Sequence, residues 1–203
     1  MVFPDPLASQ LNVSRETLEL LKLYESKLRK WMPFKNLIGP STLGELWTRH
    51  FADSLQLLSL APKARRWIDI GSGAGFPGLV IGAALVGQPD AVVHLIEADN
   101  RKCAFLREVA RDMKAPVRVH HGRAEDVIGT LEGDVVTARA VTELSGLIRL
   151  ARPLLNAGAL ALFPKGREYE SELAALGQDF PFSLEIVASL TAADGKILVF
   201  RPL

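Results

Sequence analysis

The stretch Trp67–Val80 reads WIDIGSGAGFPGLV, and it constrains the chain more than any other. A short apolar run carries a carboxylate, Asp69, close to its end, and Gly71, Gly73, Gly75 and Gly78 then fall within eight residues. Glycine adopts backbone angles closed to other residues and lets a ligand come close to the main chain. An apolar strand, a glycine turn and a small-residue helix form the usual first unit of a nucleotide-type cofactor fold. Four glycines in so short a span exceed what packing a strand against a helix requires.

From residue 65 onward the pattern alternates between strand and helix. Strand-like runs are RWIDI (66–70), AVVHLIEA (91–98), VRVHH (117–121), DVVTAR (134–139) and GALALFP (158–164). Helical stretches lie between them at about 77–87, 99–114, 124–130, 142–154 and 167–177. Strands spaced by helices imply right-handed crossovers and a mostly parallel sheet covered on both faces. The end differs: SLEIVASL (183–190) and GKILVFRP (195–202), joined through TAAD, read as an antiparallel hairpin closing the sheet. The fold class is therefore α/β, Rossmann-like, with a C-terminal antiparallel hairpin.

Residues 1–62 read as a helical extension, and residues 63–203 as one compact cofactor-binding unit. Ser14 with Leu18, Leu21, Tyr24 and Leu28 predicts a capped amphipathic helix up to about Lys30. An apolar loop, WMPFKNLIGPST, follows. A second helix is expected from Ser41 or Thr42 to about Leu60, with Glu45 at capping-box spacing from Thr42. Pro62 stops it.

Composition narrows the class. With 48% hydrophobic and 23% charged residues this is an ordinary soluble globular chain, and a net charge of +1 confines any basic surface to local patches. A single cysteine, Cys103, rules out an internal disulfide and suits a reducing compartment. The N-terminus lacks a basic region followed by an apolar one, and no run approaches the roughly 20 apolar residues of a membrane span. A cytoplasmic monomer with no membrane partner and no metal is expected.

Two ligands compete for the glycine stretch. Gly73, Gly75 and Gly78 fit the dinucleotide fingerprint G-x-G-x-x-G, with Glu97 about 20 residues on to hold a ribose. Asp69, Gly71, Gly73 and Gly75 instead fit D-x-G-x-G-x-G, where the ligand is S-adenosylmethionine. That cofactor carries a sulfonium and an ammonium, so a carboxylate at the mouth suits it and would repel a pyrophosphate. The chain also lacks a second domain for a dehydrogenase substrate, which favours S-adenosylmethionine. Further contacts are expected at the carboxyl ends of successive strands: Glu97 to the ribose, Ala124 and Glu125 to the adenine, and Arg139 facing the mouth with Asp69 or a phosphate as partner.

With those residues in view, the chain resembles the bacterial RsmG (GidB) family, methyltransferases that modify N7 of a guanine in 16S ribosomal RNA. The matching segments are WMPFKNL, ELWTRHFADSL, IDIGSGAGFPGLVIG, KCAFLREV, HGRAED, DVVTARAV and FPKG, in order over about residues 28–166. The resemblance implies cofactor contacts at Gly71, Gly73, Gly75, Phe76, Glu97, Ala124, Glu125 and Arg139. It implies substrate-pocket roles for Arg49, His50, Arg123 and Lys165, and it makes the small ribosomal subunit the partner. The chain departs from the family pattern at Met32, Ile38, Glu97 and Pro164, where Asn, Thr, Asp and Leu are common.

Guanine N7 carries an exposed lone pair on its major-groove edge, so it can attack a sulfonium methyl without first losing a proton. No general base is required. Arg123, Arg139 and Lys165 are then expected to hold phosphates or donate to guanine O6, and His50 either does the same or packs against Asp53. Candidate RNA contacts are Lys27, Arg29, Lys30, Lys35, Lys63, Arg65, Arg66, Lys165 and Arg167. The alternatives are a small-molecule methyltransferase and a non-catalytic RNA-binding module.

Overall fold

The computed structural model describes residues 11–176 and 181–203, so the lead-in before Leu11 lies outside them. Seven strands form one sheet: β1 (Arg66–Ile70), β2 (Val92–Glu97), β3 (Val117–His121), β4 (Val135–Ala138), β5 (Leu160–Lys165), β6 (Phe182–Ala188) and β7 (Lys196–Pro202). Their order is β3-β2-β1-β4-β5-β7-β6. The first five run parallel, and β7 pairs antiparallel with both β5 and β6. The hairpin thus does not merely cap the edge: its second strand inserts beside β5, and its first strand becomes the edge.

The chain leaves β1 toward β2 and β3 on one side, then returns to place β4 on the other side. That reversal opens a crevice at the carboxyl ends of β1 and β4, where ligands of such sheets bind. Register sets its walls. Ile70 pairs with both Ile96 and Ala138, so Gly71 leaves the sheet between Glu97 and Arg139.

One face of the sheet is covered by α1 (Arg15–Trp31), α2 (Asp53–Leu60), α3 (Gly78–Ala84) and α4 (Asn100–Asp112). The other is covered by α6 (Leu144–Asn156) and α7 (Tyr169–Leu176), with the four-residue α5 (Ala124–Val127) near β3. The helix α1 starts where its cap dictates: the Ser14 hydroxyl accepts from the Thr17 amide at 3.1 Å, Glu16 sits in the first turn, and Arg29 and Lys30 sit in the last. Its buried stripe of Leu21, Tyr24 and Leu28 joins the same apolar core as Leu79, Leu95 and Phe105. The N-terminal extension is therefore packed into the body of the protein. Polar ties reinforce it: the Trp31 indole N–H and Lys27 both reach Glu108 on α4, and Lys35 reaches Asp99 at 2.6 Å.

The helix expected over 41–60 is not continuous. Pro40–Glu45 is a 3₁₀ helix, Leu46–Ala52 is π-helical, and only Asp53–Leu60 is α. The capping box is absent as well. Thr42 donates to the Gly39 carbonyl, and Glu45 pairs with Arg49. A wide i→i+5 turn in a helix is frequent at functional sites, and this one carries Arg49 and His50.

Candidate functional site

The glycine loop begins as β1 ends. Gly71, Gly73 and Gly75 have φ of +63°, +58° and +96°, a region that disfavours side chains. Their surroundings differ. A Cβ at Gly73 would meet only the Gly71 carbonyl at 3.8 Å, whereas one at Gly75 would strike Leu79 at 2.5 Å and the Tyr24 hydroxyl at 2.8 Å. A Cβ at Gly71 would lie 2.6 Å from Val141, which folds over the loop from the β4 side. Gly73 thus borders open space, while Gly75 is demanded by packing.

Asp69 does not stand at the mouth, as its sequence position suggested; it is completely buried. One oxygen, Oδ2, accepts from the Gly78 amide at 3.1 Å. The other, Oδ1, has no partner. Burial pushes its pKa up to about 7, against smaller lowerings by the Gly78 amide, the nearby Ser72 hydroxyl and the charge of Arg139. An unpartnered buried acceptor beneath a glycine loop suits a cationic ligand or a water bridging to one.

Glu97 sits at the end of β2. Its Oε2 accepts from the Gly73 amide and its Oε1 from the Asp99 amide, each at 2.8 Å. Each oxygen keeps a further lone pair for a ribose hydroxyl. Asp99 in turn caps α4, and its pKa is lowered to about 2 by its bond to Lys35 and by the α4 amides. The unpartnered Asp69 oxygen and the spare lone pairs of Glu97 form an acceptor set around the open face of Gly73, which fits the ammonium, the sulfonium and the ribose hydroxyls of S-adenosylmethionine.

Arg139 follows β4 and finds different partners from those expected. Its Nη2 donates to His50 Nδ1 at 2.7 Å, its Nη1 donates to the Arg49 carbonyl at 3.2 Å, and Asp53 pairs with it at 3.4 Å. Asp69 is not hydrogen-bonded to it. The guanidinium also lies 5.1 Å from the Phe76 ring centre. Because a guanidinium only donates, His50 Nδ1 must be the acceptor, which assigns the proton to Nε2. Nε2–H then donates to Thr42 at 3.0 Å. Burial, with the charges of Arg139 and Arg49, drives the His50 pKa down to about 3. His50 is a neutral acceptor that aims Arg139, and its hydrogen bonds go to Arg139 and Thr42. The next residue, Ala140, has φ +55°, a strained turn for a residue with a side chain, directly between Arg139 and Val141.

Beside this cluster opens a cavity of about 1280 Å³ along the ends of β4, β5 and β7. Arg49, His50, Arg139 and Lys165 all line it. Lys165 is bound to Glu172 at 2.7 Å, and the same carboxylate oxygen accepts the Leu144 amide at the start of α6. Arg123 does not join them. It is an exposed residue preceding α5 on the β3 side, with Ala124 and Glu125, across the switch point from Lys165. Among the cations nominated for RNA, Lys27, Arg29, Lys35, Arg66, Lys165 and Arg167 are held in ion pairs with acids of the same chain.

Asp53 and Tyr24 are site residues that periodicity alone assigns elsewhere. Asp53 receives Arg139 on one oxygen and the Thr191 hydroxyl on the other, tying α2 to the turn before β7. The hydroxyl of a buried tyrosine usually finds a partner, and that was the available signal for Tyr24, which donates to the Ala74 carbonyl of the glycine loop.

Comparison with known proteins follows the same lines. The family described as rRNA small subunit methyltransferase G matches residues 17–198. A protein named ribosomal RNA small subunit methyltransferase G from Methylorubrum populi is 48% identical over 188 residues, covering 92% of this chain and 89% of its own. One of the same name from Paramagnetospirillum magneticum is 50% identical over 199 residues, covering 98% and 95%. Among solved structures, a methyltransferase from Geobacter sulfurreducens superposes with a TM-score of 0.61 at 15% identity, covering 100% of this chain and 98% of that one. The O-methyltransferase TomG from Streptomyces achromogenes, solved in complex with S-adenosylmethionine, gives 0.62 at 19% identity, covering 96% and 94%. At such identities the two structures speak for the fold alone.

Proposed function

The chain belongs to the rRNA small subunit methyltransferase G family, and from that premise we propose that it transfers a methyl group from S-adenosylmethionine to N7 of a guanine in 16S ribosomal RNA. The observation that carries the reading is the register at the switch point. It sets the glycine loop, Glu97 and Arg139 side by side, with a large cavity opening next to Arg139.

Gly71, Gly73, Gly75 and the main chain of Phe76 form the cofactor cradle. The Phe76 ring itself is buried against Tyr24 and His50 and is not free to stack on a ligand. Glu97 takes the ribose hydroxyls, and Ala124 and Glu125 at the β3 end take the adenine. Asp69 acts from beneath through its free acceptor. When bound, the cofactor supplies an electrophilic methyl on a sulfonium.

Guanine N7 needs no proton removed before it attacks that methyl. With the cofactor bound, the N7 lone pair would form the new N–C bond and the sulfur would take the electron pair of the broken C–S bond. The residues therefore serve to place the base, an orientation effect that can supply several kcal/mol. His50 is engaged on both nitrogens and held neutral, which fits a site that does not use a base. Arg139 and Lys165 hold phosphate or guanine O6, with Arg49 at the rim, while Arg123 meets the RNA or the cofactor from the β3 side. The guanine must leave its stack to reach the cavity.

We read residues 1–62 as an extension that completes the site built by residues 63–203, and the working form as a cytoplasmic monomer. Among the described residues no helix is long and apolar enough to cross a membrane. The test is transfer of labelled methyl to 30S subunits and to free 16S RNA lacking the modification. Label in the RNA is expected; label only in small metabolites would favour the small-molecule alternative.

A further inference from the structure

We propose that Tyr24, on the first helix of the N-terminal extension, is a positioning residue for the cofactor: its hydroxyl fixes the Ala74 carbonyl and thereby sets the glycine loop in its binding conformation.

Two contacts and one steric constraint tie this side chain to the loop. Its hydroxyl donates a hydrogen bond to the Ala74 carbonyl, in the middle of the loop between Gly73 and Gly75. Its ring stacks on Phe76 at 5.3 Å with the planes 19° apart. With Leu79, its hydroxyl also crowds the space that a Cβ at Gly75 would take, lying 2.8 Å from it. Tyr24 is completely buried, and Phe51 and Phe105 pack against its ring from two other elements. Burial pushes the phenol pKa well up, so the hydroxyl stays a donor at every working pH.

The Ala74 carbonyl has no hydrogen bond from the loop's own amides: the Ser72 carbonyl takes the Gly75 amide and the Gly75 carbonyl takes the Leu79 amide. Tyr24 supplies the donor that the loop lacks. Phe76 connects this contact to the substrate side, because it also packs against His50 at 4.8 Å and Arg139 at 5.1 Å. The extension therefore touches both halves of the site, the cofactor loop through Tyr24 and the cavity through His50 and Asp53.

This inference rests on the reading of the loop as the S-adenosylmethionine site. The experiment compares wild type with Tyr24→Phe, which keeps the ring and removes the donor. Binding of S-adenosylhomocysteine is measured by calorimetry, and kcat and KM by methyl transfer to 30S subunits. The expected result is a Kd and a cofactor KM raised roughly fivefold or more, the scale of one lost hydrogen bond. The KM for the subunit and kcat at saturating cofactor should stay within about twofold, by the same bound.

A second measurement does not depend on the variant folding. The chain holds two tyrosines, Tyr24 and Tyr169. In wild-type protein labelled with 3-fluorotyrosine, and with Tyr169→Phe for assignment, the fluorine resonance of Tyr24 should shift on adding S-adenosylhomocysteine while that of Tyr169 stays. An unchanged cofactor Kd in Tyr24→Phe, or a Tyr24 resonance indifferent to bound ligand, overturns the proposal. Failure of wild type to bind S-adenosylhomocysteine at all overturns the cofactor reading itself, and this inference with it.

Discussion

Arg139 donates to His50 Nδ1 at 2.7 Å, and that single bond fixes the protonation state of the histidine and the aim of the arginine together. An imidazolium could not accept it. His50 therefore works as a neutral acceptor between Arg139 and Thr42, and it has no part in proton transfer.

Activity should show no His50 ionisation between pH 5 and 9, since its pKa lies near 3. His50→Ala should lower kcat/KM for the ribosomal substrate by about tenfold, the cost of one charge-assisted hydrogen bond. His50→Asn, whose side-chain oxygen can stand in for Nδ1, should lose less. An inflection near 6.5 in the wild-type profile that vanishes in His50→Asn would contradict the assignment.

Asp69 predicts a pH dependence of opposite character. Its pKa is about 7 in the folded chain against an ordinary aspartate value of 3.8, because it is buried. Between pH 4 and 7 the folded chain keeps a proton that the unfolded chain has released. Its contribution to stability is therefore full at the low end and is lost as pH rises through 7, by an amount on the order of 4 kcal/mol. Asp69→Asn should flatten the thermal midpoint over that window. Binding of S-adenosylhomocysteine, which carries an ammonium, should tighten from pH 6 to 8 in wild type as the carboxylate forms, and less so in the variant. Titration calorimetry and melting curves across pH check both.

The glycines separate into two kinds. Gly73→Val should fold, at a cost of about 1–2 kcal/mol for its left-handed backbone, yet bind no cofactor, because its side chain would fill the open face of the loop. Gly75→Val should fail to fold, since even a Cβ collides with Leu79 and Tyr24. Circular dichroism with cofactor calorimetry distinguishes them, and a folded, cofactor-binding Gly73→Val would refute the placement.

Much of this was legible before the fold was known. RWIDI and VRVHH coincide with β1 and β3, because Ile68 and Ile70 in one and Val117 and Val119 in the other alternate at strand period and each run ends at a glycine turn. The glycine loop was legible from its composition, and Gly71, Gly73 and Gly75 do stand at positive φ, where glycine is favoured. The insertion of β7 between β5 and β6 was not, since pairing order is absent from local pattern. The π-helical turn was also invisible, because Leu46, Trp47, Phe51 and Leu55 keep an apolar face through the break. Arg123 follows β3 and Lys165 ends β5, on opposite sides of the switch point, which only topology reveals. Lys27 and Lys35 read as free cations until tertiary contacts brought Glu108 and Asp99 to them.

Lys165 provides a substrate-side counterpart to the loop variants. Lys165→Ala should raise the KM for 30S subunits by about tenfold, the scale of a lost charge-assisted contact, with the cofactor Kd unchanged. It should also free Glu172, which still holds the Leu144 amide and so keeps α6 in place. Kinetics with each substrate varied in turn checks the split; a rise in the cofactor Kd instead would put Lys165 on the wrong side of the site.

The most direct test of the account is to map the methylated nucleotide. 16S RNA from a strain lacking the protein is incubated, as 30S subunits, with the enzyme and S-adenosylmethionine, then digested and scanned for 7-methylguanosine by borohydride and aniline cleavage. The account predicts one new cleavage at a single guanine, absent with Gly73→Val. Methyl incorporation at another atom or base, or none in any RNA form while the cofactor is bound, would contradict it.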